Sequence, residues 1–135
     1  MDPRSAAHAY KQDAVESAPP IKIVRMLLQA SLRFIDQADR SDPKQPDSPF
    51  VERVGRVDAI AMELRLALDP SVDPEFCARM EQLYLFVEAH AQEALEARSA
   101  EPLQAARKVL ATLLETWSEV ELEGSPGSEG ARDAA

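Results

Sequence analysis

Hydrophobic side chains recur every three or four positions in four stretches of this chain, and polar or proline-rich segments separate the stretches. This period places side chains on one face of an α-helix. The pattern predicts helices over about residues 20–40, 49–69, 74–98 and 102–122. In chain order, the side chains predicted to face inward are Ile21, Val24, Leu27, Leu28, Ser31, Phe34, Ile35, Ala38; Phe50, Val54, Val57, Ile60, Ala61, Leu64, Leu68; Phe76, Met80, Leu83, Tyr84, Val87, Ala91, Ala94, Leu95; and Leu103, Ala106, Val109, Leu110, Leu113, Leu114, Trp117, Val120.

Capping residues and prolines mark the ends of these helices. Ser48-Pro49 and Asp73-Pro74 each place a capping side chain before a proline at the first helical position. Asp69-Pro70 ends the second helix. The connectors after the second and third helices are so short that neighbouring helices must run antiparallel. The sequence therefore predicts an all-α protein, an antiparallel four-helix bundle.

The two ends of the chain lack the hydrophobic period. Residues 1–18 are predicted to form an N-terminal arm packed on a bundle domain of residues 19–122. Because the arm is too polar to fold alone, its one aromatic residue, Tyr10, is expected to anchor it; the alternative is an incidental aromatic residue in a tail. Residues 123–135 are rich in Gly, Ser and acidic residues, and we expect a disordered tail.

Charge and cysteine content narrow the class of protein. The 24 acidic and 15 basic residues give a net charge of −9, and no cluster of Lys and Arg offers nucleic acid a binding site. The single cysteine, Cys77, excludes an internal disulfide and fits a reducing compartment. No segment reads as a signal peptide or a membrane span. We expect a cytoplasmic protein that neither inserts into membranes nor binds nucleic acid.

The sequence gives only weak evidence for catalytic or metal-binding residues. Di-iron bundles need Glu-x-x-His on two helices, whereas Glu88-Ala89-His90 has the wrong spacing. The carboxylates are interpreted as a solvated face. Cys77 has no nearby His in the sequence and is predicted to be a half-buried thiol beside Phe76 and Met80. We expect no enzymatic activity, no metal and no cofactor.

Large apolar residues outside the predicted inward faces give a stronger signal. Met62 and Leu66 lie one turn apart on the second helix, and Leu85 and Phe86 lie beside the inward stripe of the third. Apolar patches of this kind often mark partner sites. Two interpretations remain open and are compatible: a partner binds these residues, or the N-terminal arm covers them.

The segment from Ala9 to Phe34 resembles the flagellar secretion chaperones of the FliS type. The family pattern has a Tyr, a Glu-Ser-Ala-Ser-Pro run, and a helix with Met-Leu-Tyr and Leu-Arg-Phe. The matching residues are Tyr10, Glu16-Ser17-Ala18, Pro20, Lys22, Met26-Leu27 and Leu32-Arg33-Phe34, followed by Leu64, Leu68-Asp69, Leu83-Tyr84 and Trp117. Leu85 stands where the family usually has an acidic residue.

The resemblance implies a cytoplasmic four-helix chaperone that holds the disordered C-terminal segment of flagellin. It further implies that the chaperone prevents premature polymerisation and supports delivery to the export gate of the flagellar type III apparatus. In the family, the arm can occupy part of the groove until flagellin displaces it. Two other classes remain open: a helical adaptor or regulator of another secretion or anti-sigma partner, and a bundle enzyme or metal protein.

Overall fold

The structure is a computed structural model that describes residues 21–123. It contains the helices α1 (Ile21–Asp39), α2 (Phe50–Leu66), α3 (Pro74–Ala97) and α4 (Leu103–Glu123). All four predicted helices are confirmed. α2 ends three residues earlier than predicted, because Pro70 disfavours a helical conformation at the residue before it. The predicted arm, with Tyr10, and the predicted tail beyond residue 123 lie outside the described residues.

The four helices form an antiparallel bundle in which each helix packs against two neighbours, in the ring order α1, α2, α3, α4. Arg25 near the start of α1 pairs with Glu121 near the end of α4. Phe76 near the start of α3 meets Trp117 near the end of α4, with ring centroids 6.3 Å apart. These contacts place the starts of α1 and α3 at the same end of the bundle. The predicted fold is confirmed.

The core lies between all four helices and follows the predicted apolar stripes. Its largest fully buried side chains include Trp117, Tyr84, Phe50, Leu28 and Ile35. Side chains at the edges of the stripes, such as Leu27 and Phe34, are partly buried against this core. Burying apolar side chains of this size stabilises the fold by roughly 1.5–3 kcal/mol each, before conformational entropy is counted.

The predicted start of α3 is confirmed, and that of α2 is confirmed in part. The Asp73 carboxylate accepts a hydrogen bond of 3.1 Å from the Phe76 amide, and Pro74 takes the first helical position. In α2 the N-cap position is occupied by Pro49, which has no capping side chain. The Ser48 hydroxyl oxygen accepts a long hydrogen bond of 3.4 Å from the Phe50 amide, and the hydroxyl donates to the Asp42 carbonyl within the connection from α1.

Three predicted environments on α3 are wrong. Leu83, predicted to face inward, is 36% exposed, whereas Glu88, assigned to a solvated face, is 7% exposed. Cys77 is buried rather than half-buried, and its thiol donates to the Asp69 carbonyl at 3.3 Å. All three differences have one cause: the buried face of α3 is rotated toward Cys77 and Glu88, which leaves Leu83 at its outer edge.

Candidate partner-binding surface

An ion pair fixes the seam along which α2 and α3 touch. Arg65 on α2 donates from Nε and Nη2 to the two carboxylate oxygens of Glu88 on α3, at 2.7 and 3.1 Å. Two turns earlier on α2, Asp58 accepts from the Gln92 amide at 3.5 Å. The paired, forked geometry sets the relative position of the two helices.

The pKa values of two side chains at this seam, Arg65 and Asp58, are raised. The hydrogen bond to Glu88 raises the pKa of Arg65 above its ordinary value, so the guanidinium stays charged. Burial raises the pKa of Asp58, and the charge of Glu88 adds to that rise, while the hydrogen bond from Gln92 opposes it. Arg65 and Glu88 satisfy each other with two hydrogen bonds, so the pair does not need a charge from a partner.

Three of the predicted partner-binding residues flank this pair and are exposed. Met62 and Leu66 on α2 are 43% and 68% exposed, and Leu85 on α3 is 43% exposed. Met62 lies one turn from both Asp58 and Arg65, and Leu85 lies one turn from Glu88. Residues three or four apart share a helix face, so these side chains lie along the seam. We call Met62, Leu66 and Leu85 the α2–α3 surface.

An open cleft of about 360 Å³ continues this surface to the end of the bundle where α2 leads into α3. Its walls combine apolar side chains with one residue of each charge. They are formed by Leu66, Leu68, Pro70, Pro74, Cys77 and Ala78, with Arg65 and Glu81. Its size is within the range of pockets that hold small ligands or anchor side chains.

Phe86 belongs to a different part of α3. It follows Leu85 by one residue, which turns its side chain about 100° around the helix. Its ring stacks on His90, with centroids 4.0 Å apart, and is 39% exposed. The structure thus brings together Met62, Leu66 and Leu85 but not Phe86. Tyr10, the remaining predicted site residue, lies outside the described residues.

The α1–α4 seam is polar along much of its length. Arg25 pairs with Glu121 near one end, and Arg107 pairs with both Asp36 and Asp39 near the other. The hydrogen bond to Asp36 is the main reason that the pKa of Arg107 is raised. Arginine–carboxylate pairs thus join both ends of this seam, and the side chains of these pairs remain partly exposed to solvent.

Sequence reasoning missed five exposed large apolar residues, of which two are Val72, between α2 and α3, and Leu122, near the end of α4. Ile23 and Met26 on α1 are 44% and 50% exposed, and Val51 on α2 is 44% exposed. The sequence pattern could have identified Ile23, Met26 and Val51, because each lies outside the predicted inward stripe of its helix, as Met62 does. Ile23 and Met26 lie one turn apart and give α1 a smaller apolar patch.

The described residues offer little for other chemistry. Within residues 21–123, no three His, Cys, Asp or Glu side chains are grouped to hold a metal ion. None of the four described helices is long and apolar enough to cross a membrane.

Comparison with known proteins gives one finding. The model of a family described as flagellar protein FliS matches residues 3–124, which is most of the 135-residue chain. No curated protein and no solved structure matches the chain.

Proposed function

The chain belongs to the flagellar protein FliS family, whose members are chaperones in flagellar assembly, and from this premise we propose that its client is the C-terminal segment of flagellin. In the cytoplasm it would keep flagellin from polymerising and deliver it to components of the type III export gate. The observation that carries the proposal is the row of exposed apolar side chains, Met62, Leu66 and Leu85, beside an open cleft.

The physical basis is recognition of an amphipathic helix by a groove. A segment that is disordered when free can fold as it lays its apolar side on such a groove, and apolar burial then offsets the cost of ordering it. The Arg65–Glu88 pair forms a polar floor whose hydrogen bonds are already made. A client helix that covers this pair removes water from it without leaving a charge unpaired.

The same geometry supports a role for the arm. Ile21, where α1 begins, is at the end of the bundle that carries Pro74, Cys77 and the cleft. Tyr10 precedes Ile21 by eleven residues, and an extended chain of that length spans up to about 36 Å. Residues 1–18 could therefore reach the cleft, cover it in the empty chaperone, and leave when the client binds.

A titration with a flagellin C-terminal peptide tests the client. Calorimetry should give a dissociation constant of about 10 µM or tighter, and circular dichroism should show helix formed in excess of the two free components. A scrambled peptide of the same composition is the control. Failure to bind at tens of micromolar would overturn the proposed client and favour an adaptor for another secretion or anti-sigma partner.

Deletion of residues 1–18 tests the arm separately. A chain that begins at residue 19 should bind the peptide more tightly, because the client no longer competes with the arm. Dye binding to exposed apolar surface should rise in the absence of client. Equal affinity and equal dye binding in both chains would show that the arm is a passive tail.

A further inference from the structure

A second apolar strip runs along the outer side of α1, next to α2. Ile23 and Met26 are 44% and 50% exposed, and the partly buried Ala30 and Phe34 continue the strip. The spacing of three, four and four residues keeps these side chains on one side of the helix. The guanidinium carbon of Arg53 on α2 lies 5.9 Å from the centroid of the Phe34 ring. The strip therefore borders α2 at this end.

Three arginines gather at the Phe34 end of the strip. Arg33 precedes Phe34 on α1, and Arg53 and Arg56 share one side of α2. Arg33 and Arg56 are exposed, and neither has an ion-pair partner among residues 21–123. Arg53 meets Glu52 at 3.5 Å, in an exposed pair that adds little stability. In a chain of net charge −9, this end of the strip is locally positive.

Apolar and basic residues of α1 and α2 thus form one continuous surface. We call it the α1–α2 surface: Ile23, Met26, Ala30, Phe34, Arg33, Arg53 and Arg56. The ten residues from Ile23 to Arg33 rise by about 15 Å, or roughly three helical turns. A partner helix of three turns covers the apolar strip, and its next side chains then reach the arginines. Arginine favours carboxylates, which it binds with two parallel hydrogen bonds.

From this arrangement we infer that the α1–α2 surface binds an amphipathic helix of a second protein, whose apolar side covers Ile23 and Met26 and whose carboxylates pair with the arginines. Charge separates this partner from the one on the α2–α3 surface. There, Asp58 and Glu81 add negative charge around the Arg65–Glu88 pair. An acidic helix is repelled from that surface and attracted to the α1–α2 surface.

The inference goes beyond the proposed function and does not depend on it. α1 and α3 are separate neighbours of α2 in the ring of helices, so the α1–α2 and α2–α3 surfaces lie on different sides of α2. Both surfaces can therefore be occupied at the same time. A flagellin peptide that fails to bind would leave the inference intact, because none of its tests uses flagellin.

Synthetic peptides of about 16 residues test the chemistry of the partner. Two amphipathic peptides carry apolar residues at every third or fourth position, with glutamates in the first turn of one and in the last turn of the other. Calorimetry with the full chain should give a dissociation constant of about 100 µM or tighter for at least one of them. The same peptides with lysine in place of glutamate should bind at least about tenfold more weakly. Failure of both acidic peptides at about 1 mM, or equal binding of the lysine peptides, would overturn the inference.

Methionine methyl NMR tests the location. The acidic peptide should shift or broaden the Met26 methyl resonance and leave that of Met62 in place. Met26→Glu should weaken its binding by about tenfold or more, whereas Met62→Glu, the same change on the α2–α3 surface, should alter it by less than about threefold. A shift of Met62 with Met26 unchanged would place the acidic helix elsewhere and contradict the inference.

Charge reversal tests the arginines. Arg33→Glu and Arg56→Glu should each weaken the acidic peptide about tenfold or more, because each replaces an attraction with a repulsion. Arg79→Glu, at an exposed position on α3, is the matched control and should have an effect of less than about threefold. Far-ultraviolet circular dichroism confirms that each variant is folded. Folded variants of Arg33 and Arg56 that bind as tightly as the parent would overturn the role of the arginines and with it the inference.

Discussion

Arginine–carboxylate pairs cross both the α1–α4 seam and the α2–α3 seam, but their surroundings differ. The side chains of Arg25–Glu121 and Arg107–Asp36 are 24% to 50% exposed, whereas the Glu88 side chain of the α2–α3 seam is only 9% exposed. α2 and α3 also carry six of the ten large hydrophobic side chains exposed among residues 21–123, against two on α1 and one on α4.

This difference indicates that the two seams have different roles: the α1–α4 seam aligns helices, and the α2–α3 seam is suited to binding a partner. The α1–α4 seam meets water, and its exposed ion pairs mainly set the alignment of the helices, since such pairs add little stability. The α2–α3 seam buries the carboxylate partner of its pair, Glu88, and leaves apolar side chains open beside it. Exposed apolar surface is costly for a lone soluble chain, so its concentration on α2 and α3 is what points to a partner there.

The largest expected effect is a difference in client affinity between variants of two exposed methionines, Met62 on α2 and Met26 on α1. Met62→Glu should weaken binding of the flagellin peptide by about 100-fold, because it puts a charge into the surface that the client covers. Met26→Glu, the same change on α1, should alter affinity by less than about threefold. Calorimetric titration of both variants measures this. Equal losses in the two variants would remove the distinction between the surfaces.

The two ion pairs should differ in their effect on stability. Glu88→Gln should lower the midpoint of thermal unfolding by at least about 5 °C, because it leaves Arg65 without its buried anionic partner. Glu121→Gln should lower it by about 2 °C or less, since Arg25 remains hydrated. Thermal melts followed by circular dichroism compare them, and equal shifts would mean that the two seams are equivalent.

A smaller effect concerns the outer side of α2. Gly55→Ala should raise the free energy of unfolding by about 1 kcal/mol, since alanine favours the helix and meets no atom within 4 Å. Ala59→Gly is the reverse change one turn later and should lower it by a similar amount. Urea unfolding gives both values. A loss of stability in Gly55→Ala would show that this side of α2 is more crowded than the structure indicates.

The smallest effect is a pH dependence at the α2–α3 seam. Burial raises the pKa of Asp58 above its ordinary value of 3.8, so the folded chain holds the proton more tightly than the unfolded chain. The contribution of protonated Asp58 to the stability of the fold is thus present below pH 3.8, and it is lost as the pH rises through the pKa of the folded chain. Asp58→Asn should be more stable than the parent at pH 7, and the difference should shrink toward pH 4.

Asp47→Asn, in the exposed connection between α1 and α2, is the control for this pH dependence. Urea unfolding at both pH values provides the comparison. A constant difference between parent and Asp58→Asn at pH 7 and pH 4 would contradict the effect of burial on Asp58.

The sequence predicted the helices and most of the core because both depend on the period within single helices. It also placed Met62 and Leu66 off the inward stripe for the same reason. The buried Glu88 was missed, although it lies between Tyr84 and Ala91 on the inward arc. Its burial depends on Arg65, which α2 brings to it from 23 positions away, and no local pattern encodes such a pairing.

The separation of Leu85 from Phe86 was missed for a related reason. Both residues lie beside the predicted stripe of α3, and only the rotation of α3 against α2 decides which one borders the seam. The cleft at Pro74 and Cys77 likewise depends on how the α2–α3 connection packs. Periodicity predicts which face of a helix is buried, but not which neighbour that face meets.

Methionine methyl NMR tests the central claim most directly. The chain has four methionines, of which Met62 lies on the α2–α3 surface, Met26 is exposed on α1 and Met80 is buried. The flagellin peptide should be added at a concentration where light scattering shows single chains. We predict that the Met62 methyl resonance shifts or broadens while that of Met26 stays in place. A shift of Met26 with Met62 unchanged would contradict the assignment of the partner surface to α2 and α3.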